Sequence, residues 1–171
     1  MQDISYGFEE KRMKIYMQLI LAISVFLVVL LPQSVQARGQ AQSLEVSPLK
    51  IVTSQGCYKF EVELAKTQEE HNIGLMYRHE MADDHGMLFL NQQVRFNSFW
   101  MKNTYISLDI IFIRADGTIA NIAAGTVPLS LDAIVSVEPV LAVLELTAGQ
   151  ARRMGLRAGD TVFHEIFDNV P

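Results

Sequence analysis

Cysteine occurs once in these 171 residues, at Cys57. No disulfide can form within the chain, so the fold must stand on its core. Cys57 opens a strand-like stretch with no adjacent histidine or helix start to lower its pKa, so it is expected as a small buried apolar residue rather than a nucleophile. Basic residues are also scarce. Fourteen Lys and Arg stand against nineteen Asp and Glu, giving a net charge of −5. This argues against nucleic acid, whose phosphates are held by clustered cations. The densest basic group, Arg152, Arg153 and Arg157, reads as the solvated face of a short helix. There is no Gly-x-Ser-x-Gly turn, no His-Glu-x-x-His helix, no phosphate-cradling glycine loop, no internal repeat and no low-complexity segment.

What is present begins with a targeting signal. Lys11, Arg12 and Lys14 precede an apolar run from Leu19 to Leu31, Pro32 ends the run, and Val35-Gln36-Ala37 offers small residues at the first and third positions before a cut. Residues 1–37 therefore read as a bacterial secretory signal peptide, with the mature chain starting at Arg38 in the periplasm or outside the cell. The alternative is an uncleaved anchor, since Ile15 to Leu31 is just long enough to span a bilayer. In that case the chain would meet the membrane only through this segment.

Cleavage leaves 134 residues, enough for one domain with a real core but not for two. The leader carries three residues of each charge, so the mature part stays at −5. Residues 38–47 are polar and aperiodic and are expected as a flexible tether, with a single domain over 48–171. Tyr58 to Ala65 alternates with period two, which predicts a half-exposed strand. Thr67 and Glu70 form a capping box that starts a short helix running to about Leu75. Further strands are predicted at 87–90, 96–103, 108–114, 118–124, 133–138, 140–146 and 161–163. Asp116-Gly117 marks a hairpin turn, and Thr147 is expected to cap a second helix over 148–154. The class is α+β: a mainly antiparallel sheet, curved or barrel-like, with two short helices.

Six strings occur in order along the chain: Gly74-Leu75-Met76-Tyr77-Arg78, Gly86-Met87-Leu88-Phe89, Phe99-Trp100-Met101-Lys102-Asn103-Thr104, Leu108-Asp109-Ile110-Ile111-Phe112-Ile113, Leu144-Glu145-Leu146 and Gly159-Asp160. In these the chain resembles domain-of-unknown-function family 192, over roughly Val62 to Val162. The resemblance implies a compact β-rich domain, often exported or membrane-tethered, with no established activity. Ser107 stands where the family usually has proline, which should leave the turn after Thr104 less rigid.

Asp109 interrupts an apolar strand where an isolated charge is costly to bury, so it needs a partner. If 104–107 is the bend of a hairpin, Lys102 faces Asp109, and Trp100, Lys102, Asn103 and Asp109 become the candidate ligand-binding residues. Trp100 would stack on a small polar or sugar-like ligand, and the others would orient it. An ion pair that only fixes strand register is the competing account. The expected role is a binding or accessory module in the envelope, for such a ligand or an envelope partner. The alternative is a hydrolase with Asp109 as general base and Lys102 or Asn103 stabilising developing charge. Glycosidic cleavage would want a second carboxylate, for which Glu138 and Glu145 are the candidates. His71, His79 and His85 with Asp83 and Asp84 match no short metal-site spacing. No metal or other cofactor is expected.

Overall fold

The computed structural model describes residues 40–170. The signal peptide expected at 1–37 lies outside these residues. Among the described residues no helix is long and apolar enough to cross a membrane.

The described residues form nine strands and two short helices in the order β1 (Val46–Thr53), β2 (Gly56–Ala65), α1 (Gln68–Ile73), β3 (His85–Arg95), β4 (Ser98–Phe99), β5 (Leu108–Ile113), β6 (Ile119–Ala123), β7 (Ile134–Val135), β8 (Val140–Thr147), α2 (Gln150–Arg153) and β9 (Thr161–Phe163). A 3-10 turn over Glu165–Phe167 closes the chain. Seven strands form one sheet in the order β6-β5-β8-β3-β2-β1-β9, while β4 and β7 pair separately. Every pairing is antiparallel except β2 with β3, where the chain crosses over through α1.

The large sheet curls into a half-barrel whose edges meet at one end. Gly159 N donates to Ile119 O at 2.9 Å, Val162 N to Gly117 O at 2.8 Å, and Thr118 bridges Thr161. Gly117 makes this contact possible. It holds φ +83° in the β5–β6 turn, and a Cβ there would lie 2.6 Å from Val162 O. The Asp116-Gly117 hairpin is therefore both a turn and part of the closure.

Because strand residues alternate sides, the sheet buries an apolar cluster on each face. Leu49, Ile51, Val62, Ile111, Leu144 and Leu146 belong to one. Met87, Phe89, Ile110, Phe112, Val143 and Met101 belong to the other. All six residues of β5 are buried, as befits a strand covered on both sides.

Local sequence signals held where they depended on neighbours. Thr67 Oγ1 accepts from Glu70 N at 3.2 Å while Glu70 Oε2 accepts from Thr67 N at 2.8 Å, completing the capping box. Helix α1 ends at Ile73, with Gly74 at φ +48° as its C-cap. The expected tether 38–47 is tied down from Gln42 onward. Gln42 Nε2 donates to Glu70 O and Gly74 O, Leu44 N donates to Glu63 Oε2, and β1 begins at Val46.

The long-range pairing departs from expectation. Strand β5 lies between β6 and β8 and does not pair with residues 96–103. Of those residues only Ser98 and Phe99 are strand, against Val135 and Ile134. Beyond Phe99 the chain turns, with Thr104 N donating to Met101 O at 3.1 Å and Asn103 left-handed at φ +56°. Ser107 does not loosen the following bend. Its hydroxyl donates to Thr126 O at 2.6 Å, and Thr126 Oγ1 accepts from Leu108 N at 3.0 Å. Cys57 is exposed rather than buried. With Phe60, Val62 and Leu64 facing inward, period two puts residue 57 on the solvent side with Lys59 and Glu61.

Candidate functional site

The four candidate ligand-binding residues are split between two places. Asp109 is 1% exposed and points to the face of Ile111 and Leu146. Its Oδ1 accepts from Gly125 N and its Oδ2 from Ala151 N, each at 2.8 Å. Both oxygens are thus occupied by backbone donors, and no ion pair to Lys102 forms. Thr147, the expected cap of the second helix, does not cap α2. The N-cap position falls on Gly149, and the buried Thr147 hydroxyl has no partner.

Trp100, Lys102 and Asn103 lie together on the loop after β4. Lys102 Nζ sits 5.1 Å from the centroid of the half-exposed Trp100 ring, a cation–π contact at the surface. Asn103 works inward. Its Nδ2 donates to Tyr77 Oη at 3.0 Å and its carbonyl accepts from Tyr77 N at 2.8 Å. Tyr77 is itself left-handed at φ +67°. Two strained residues thus clamp the Gly74–Arg78 turn to the Phe99–Thr104 loop, an arrangement that persists only where surrounding contacts fix it.

The two segments that this clamp joins both line a cavity of about 420 Å³. Helix α1 contributes Gln68, His71 and Asn72, and the turn after it contributes Gly74, Leu75 and Met76. The opposite wall carries Phe96, Asn97, Phe99, Trp100 and Thr104. The mouth is shaped by an irregularity in β3. Leu90 pairs with Ala142 but Arg95 with Val140, so extra residues of β3 arch away from β8 and present Arg95 and Phe96 at the opening. Asn91 Nδ2 fills the broken ladder by donating to Val140 O at 3.3 Å.

Glu145 also lines this cavity. It is 4% exposed, and its partners across the sheet are Met87 on β3 and Ile110 on β5. No hydrogen bond reaches its carboxyl among the described residues. Burial without a nearby cation pushes this carboxyl up to about 8, so the acid is protonated at neutral pH and ionising it at pH 7 costs about 1.4 kcal/mol. Gly86 backs the same stretch of β8, and a Cβ there would lie 2.7 Å from Glu145 O.

His71 stands on the facing wall. Its Nε2 lies 3.0 Å from Ala65 O, a group that only accepts, so this nitrogen carries the proton. Burial holds its pKa below the ordinary histidine range, leaving the ring neutral at pH 7. It packs edge-on against Phe89, which in turn meets Phe99 edge-on at 5.0 Å. The other histidines are not drawn to it. His79 stacks on Tyr105, and His85 Nδ1 meets Asp84 Oδ1 at 2.8 Å. Among the described residues no group of three or more His, Cys, Asp or Glu is placed to hold a metal ion. Glu138 is paired with Arg114, whose Nε donates to it at 2.7 Å.

Curled sheet, half-barrel closure and a side cavity lined by one buried acid define a small β-rich domain. The chain belongs to the DUF192 family (Uncharacterized ACR, COG1430), whose sequence model matches residues 50–164. It is similar to a crystal structure described as a "putative transcription regulator" from Sinorhizobium meliloti 1021, with 42% identity and a TM-score of 0.71, covering 74% of this chain and 99% of that one. It is also similar to a protein of unknown function from Novosphingobium aromaticivorans DSM 12444, with 37% identity and a TM-score of 0.69, covering 77% and 99%. No curated protein matches the chain.

Proposed function

We propose that this domain is an exported binding or accessory module that takes a small polar ligand in the cavity above Glu145. The observation that carries the reading is the Glu145 carboxyl itself, buried on a cavity wall with no hydrogen-bond partner among the described residues. A buried polar group needs a partner, and because the Glu145 residue lines the cavity, water or the polar group of a ligand can supply one there. The volume lies within the range of small-molecule sites, and the lining sets the aromatic residues Phe89, Phe96, Phe99 and Trp100 among polar side chains that can orient a ligand. Trp100 keeps the role of a rim aromatic. Asn103 and Asp109 become supports that hold the surrounding loops, and Lys102 is a surface neighbour of Trp100.

The hydrolase alternative draws little support. Asp109 is buried outside the cavity lining with a backbone N–H on each oxygen, and Glu145 is the one acid lining the cavity among the described residues, where paired-carboxylate cleavage needs two. Regulation through nucleic acid draws none from a chain of net charge −5. Export rests on residues 1–37 alone.

Trp100 is the sole tryptophan, so its fluorescence reports on the cavity mouth. The test is a titration with neutral sugars (N-acetylglucosamine, maltose), alkyl amines and short carboxylates. The control is Asn72→Phe, which places a bulky ring at an exposed position of the lining. A saturable spectral change in the native protein that the variant lacks supports the reading. Silence across the whole panel rejects it.

A further inference from the structure

Granting that the cavity is a ligand site, its chemistry narrows what can enter. We infer that the ligand carries a primary ammonium on an apolar stem, with the ammonium donating to Glu145 and the stem packed between Phe89, Phe99 and Leu75. The groups that face the acid leave it one kind of partner. From β3 and β5 it meets Met87 and Ile110, which offer no charge. From α1 the cavity is lined by His71, a neutral ring whose proton is already given to Ala65 O. Arg95 stands exposed at the mouth, where its Nε donates to Asn91 Oδ1 at 3.0 Å. An anion would be drawn to Arg95 at the mouth, and at Glu145 itself it would meet only a protonated acid. A neutral hydroxyl would form a single exchange of hydrogen bonds. An ammonium brings three donors and the charge that a buried carboxylate lacks.

The walls agree with this choice. Phe89, Phe96, Phe99 and Trp100 present ring faces and edges around the cavity, a setting in which desolvated ammonium ions are stabilised. Lys102 already shows the preference, lying over Trp100 at the rim. Leu75, Ile73 and Met76 supply the apolar surface for a short alkyl stem.

The inference has a proton signature. The empty site holds a proton on Glu145 at pH 7, and an ammonium must displace it, so binding releases one proton. The probe is n-butylammonium chloride, titrated against Trp100 fluorescence between pH 6 and 9, with 1-butanol as its neutral isostere. An alkyl amine of the lysine type stays protonated throughout this range. The expected Kd for the amine falls about tenfold per pH unit from pH 6 and levels off near pH 8, while the alcohol shows no such slope. Glu145→Gln, which matches the protonated acid in shape and charge, is expected to fold normally and to remove the slope. Equal affinity for amine and alcohol, or a flat pH profile for the amine, overturns the ammonium assignment. So does a response to N-acetylglucosamine or maltose with none to the amine, which leaves the cavity standing as a site for neutral ligands. No response to any member of the panel removes both readings.

Discussion

Asp109 caps a helix it does not belong to. Its Oδ2 accepts the Ala151 N–H at 2.8 Å, in the first turn of α2, 42 residues along the chain. The same carboxylate holds Gly125 through Oδ1, so one side chain ties β5 to the start of α2 and to the segment after β6. Asp109→Asn keeps the shape but turns one acceptor into a donor, leaving a backbone N–H opposite an NH₂ group. The expected loss is about 1–3 kcal/mol in urea unfolding. Because Lys102 shares no bond with Asp109, adding Lys102→Met should change stability independently, with the double variant additive to within about 0.5 kcal/mol. A coupling of several kcal/mol would mean that the two side chains form an ion pair after all.

Glu145 gives the fold a pH dependence of unusual sign. Its folded pKa is raised to about 8 by burial, well above the 4.5 of a free glutamate. Between these values the folded chain holds a proton that the unfolded chain has lost. Stability is therefore highest below about pH 4.5 as far as this group is concerned, falls as pH rises, and levels off above pH 8. The total is on the order of 5 kcal/mol. Glu145→Gln removes the term, so the variant should match the native protein near pH 5 and unfold at a higher temperature than it near pH 9. Parallel melting curves for the two proteins across this range would show that Glu145 ionises normally in the fold.

Cys57 faces solvent at the start of β2, and nothing packs on its thiol as the sequence had suggested. It should react with a thiol reagent in the native state without prior unfolding, with one equivalent per chain. Cys57→Ser should shift stability by no more than about 0.5 kcal/mol, the usual range for surface changes. On non-reducing gels, a dimer band present in the native protein and missing in the variant would contradict the expectation that this residue leaves oligomeric state unchanged.

The contrast between Asp109 and Glu145 shows how far a sequence can be read. Signals set by near neighbours were legible: the Thr67–Glu70 box, the alternation from Tyr58 to Ala65 and the strand Thr161–Phe163 all form as expected. The chain's long-range pairing was not. Consecutive strands usually neighbour each other, which made 96–103 the natural partner of β5. In the folded chain β8 inserts between β3 and β5, and nothing local in residues 140–147 announces that insertion. The site inherited this error. Glu145 interrupts an apolar run as plainly as Asp109 does, and the same cost argument applied to both. Which of the two would be met by backbone donors depended on where Gly125 and Ala151 came to rest. The cavity wall likewise joins α1 to the loop after β4, two segments whose meeting rests on the Asn103–Tyr77 clamp.

The amino terminus is the part of the proposal most directly open to measurement. Basic residues Lys11 to Lys14, the apolar run to Leu31 and the Val35-Gln36-Ala37 end define where signal peptidase would cut. Protein purified from the cell envelope should have Arg38 as its first residue by intact-mass and amino-terminal peptide mapping. Ala37→Pro or Ala37→Phe, by spoiling the small residue next to the cut, should trap the uncleaved form at the membrane without changing the folded domain, whose first described bonds to the body come from Gln42. If the native protein instead retains Ile15 to Leu31, the segment is an anchor and the cavity works tethered to the bilayer. If the protein stays in the cytosol with its start intact, export fails as a reading, and the ligand of the Glu145 cavity must be sought among cytosolic molecules.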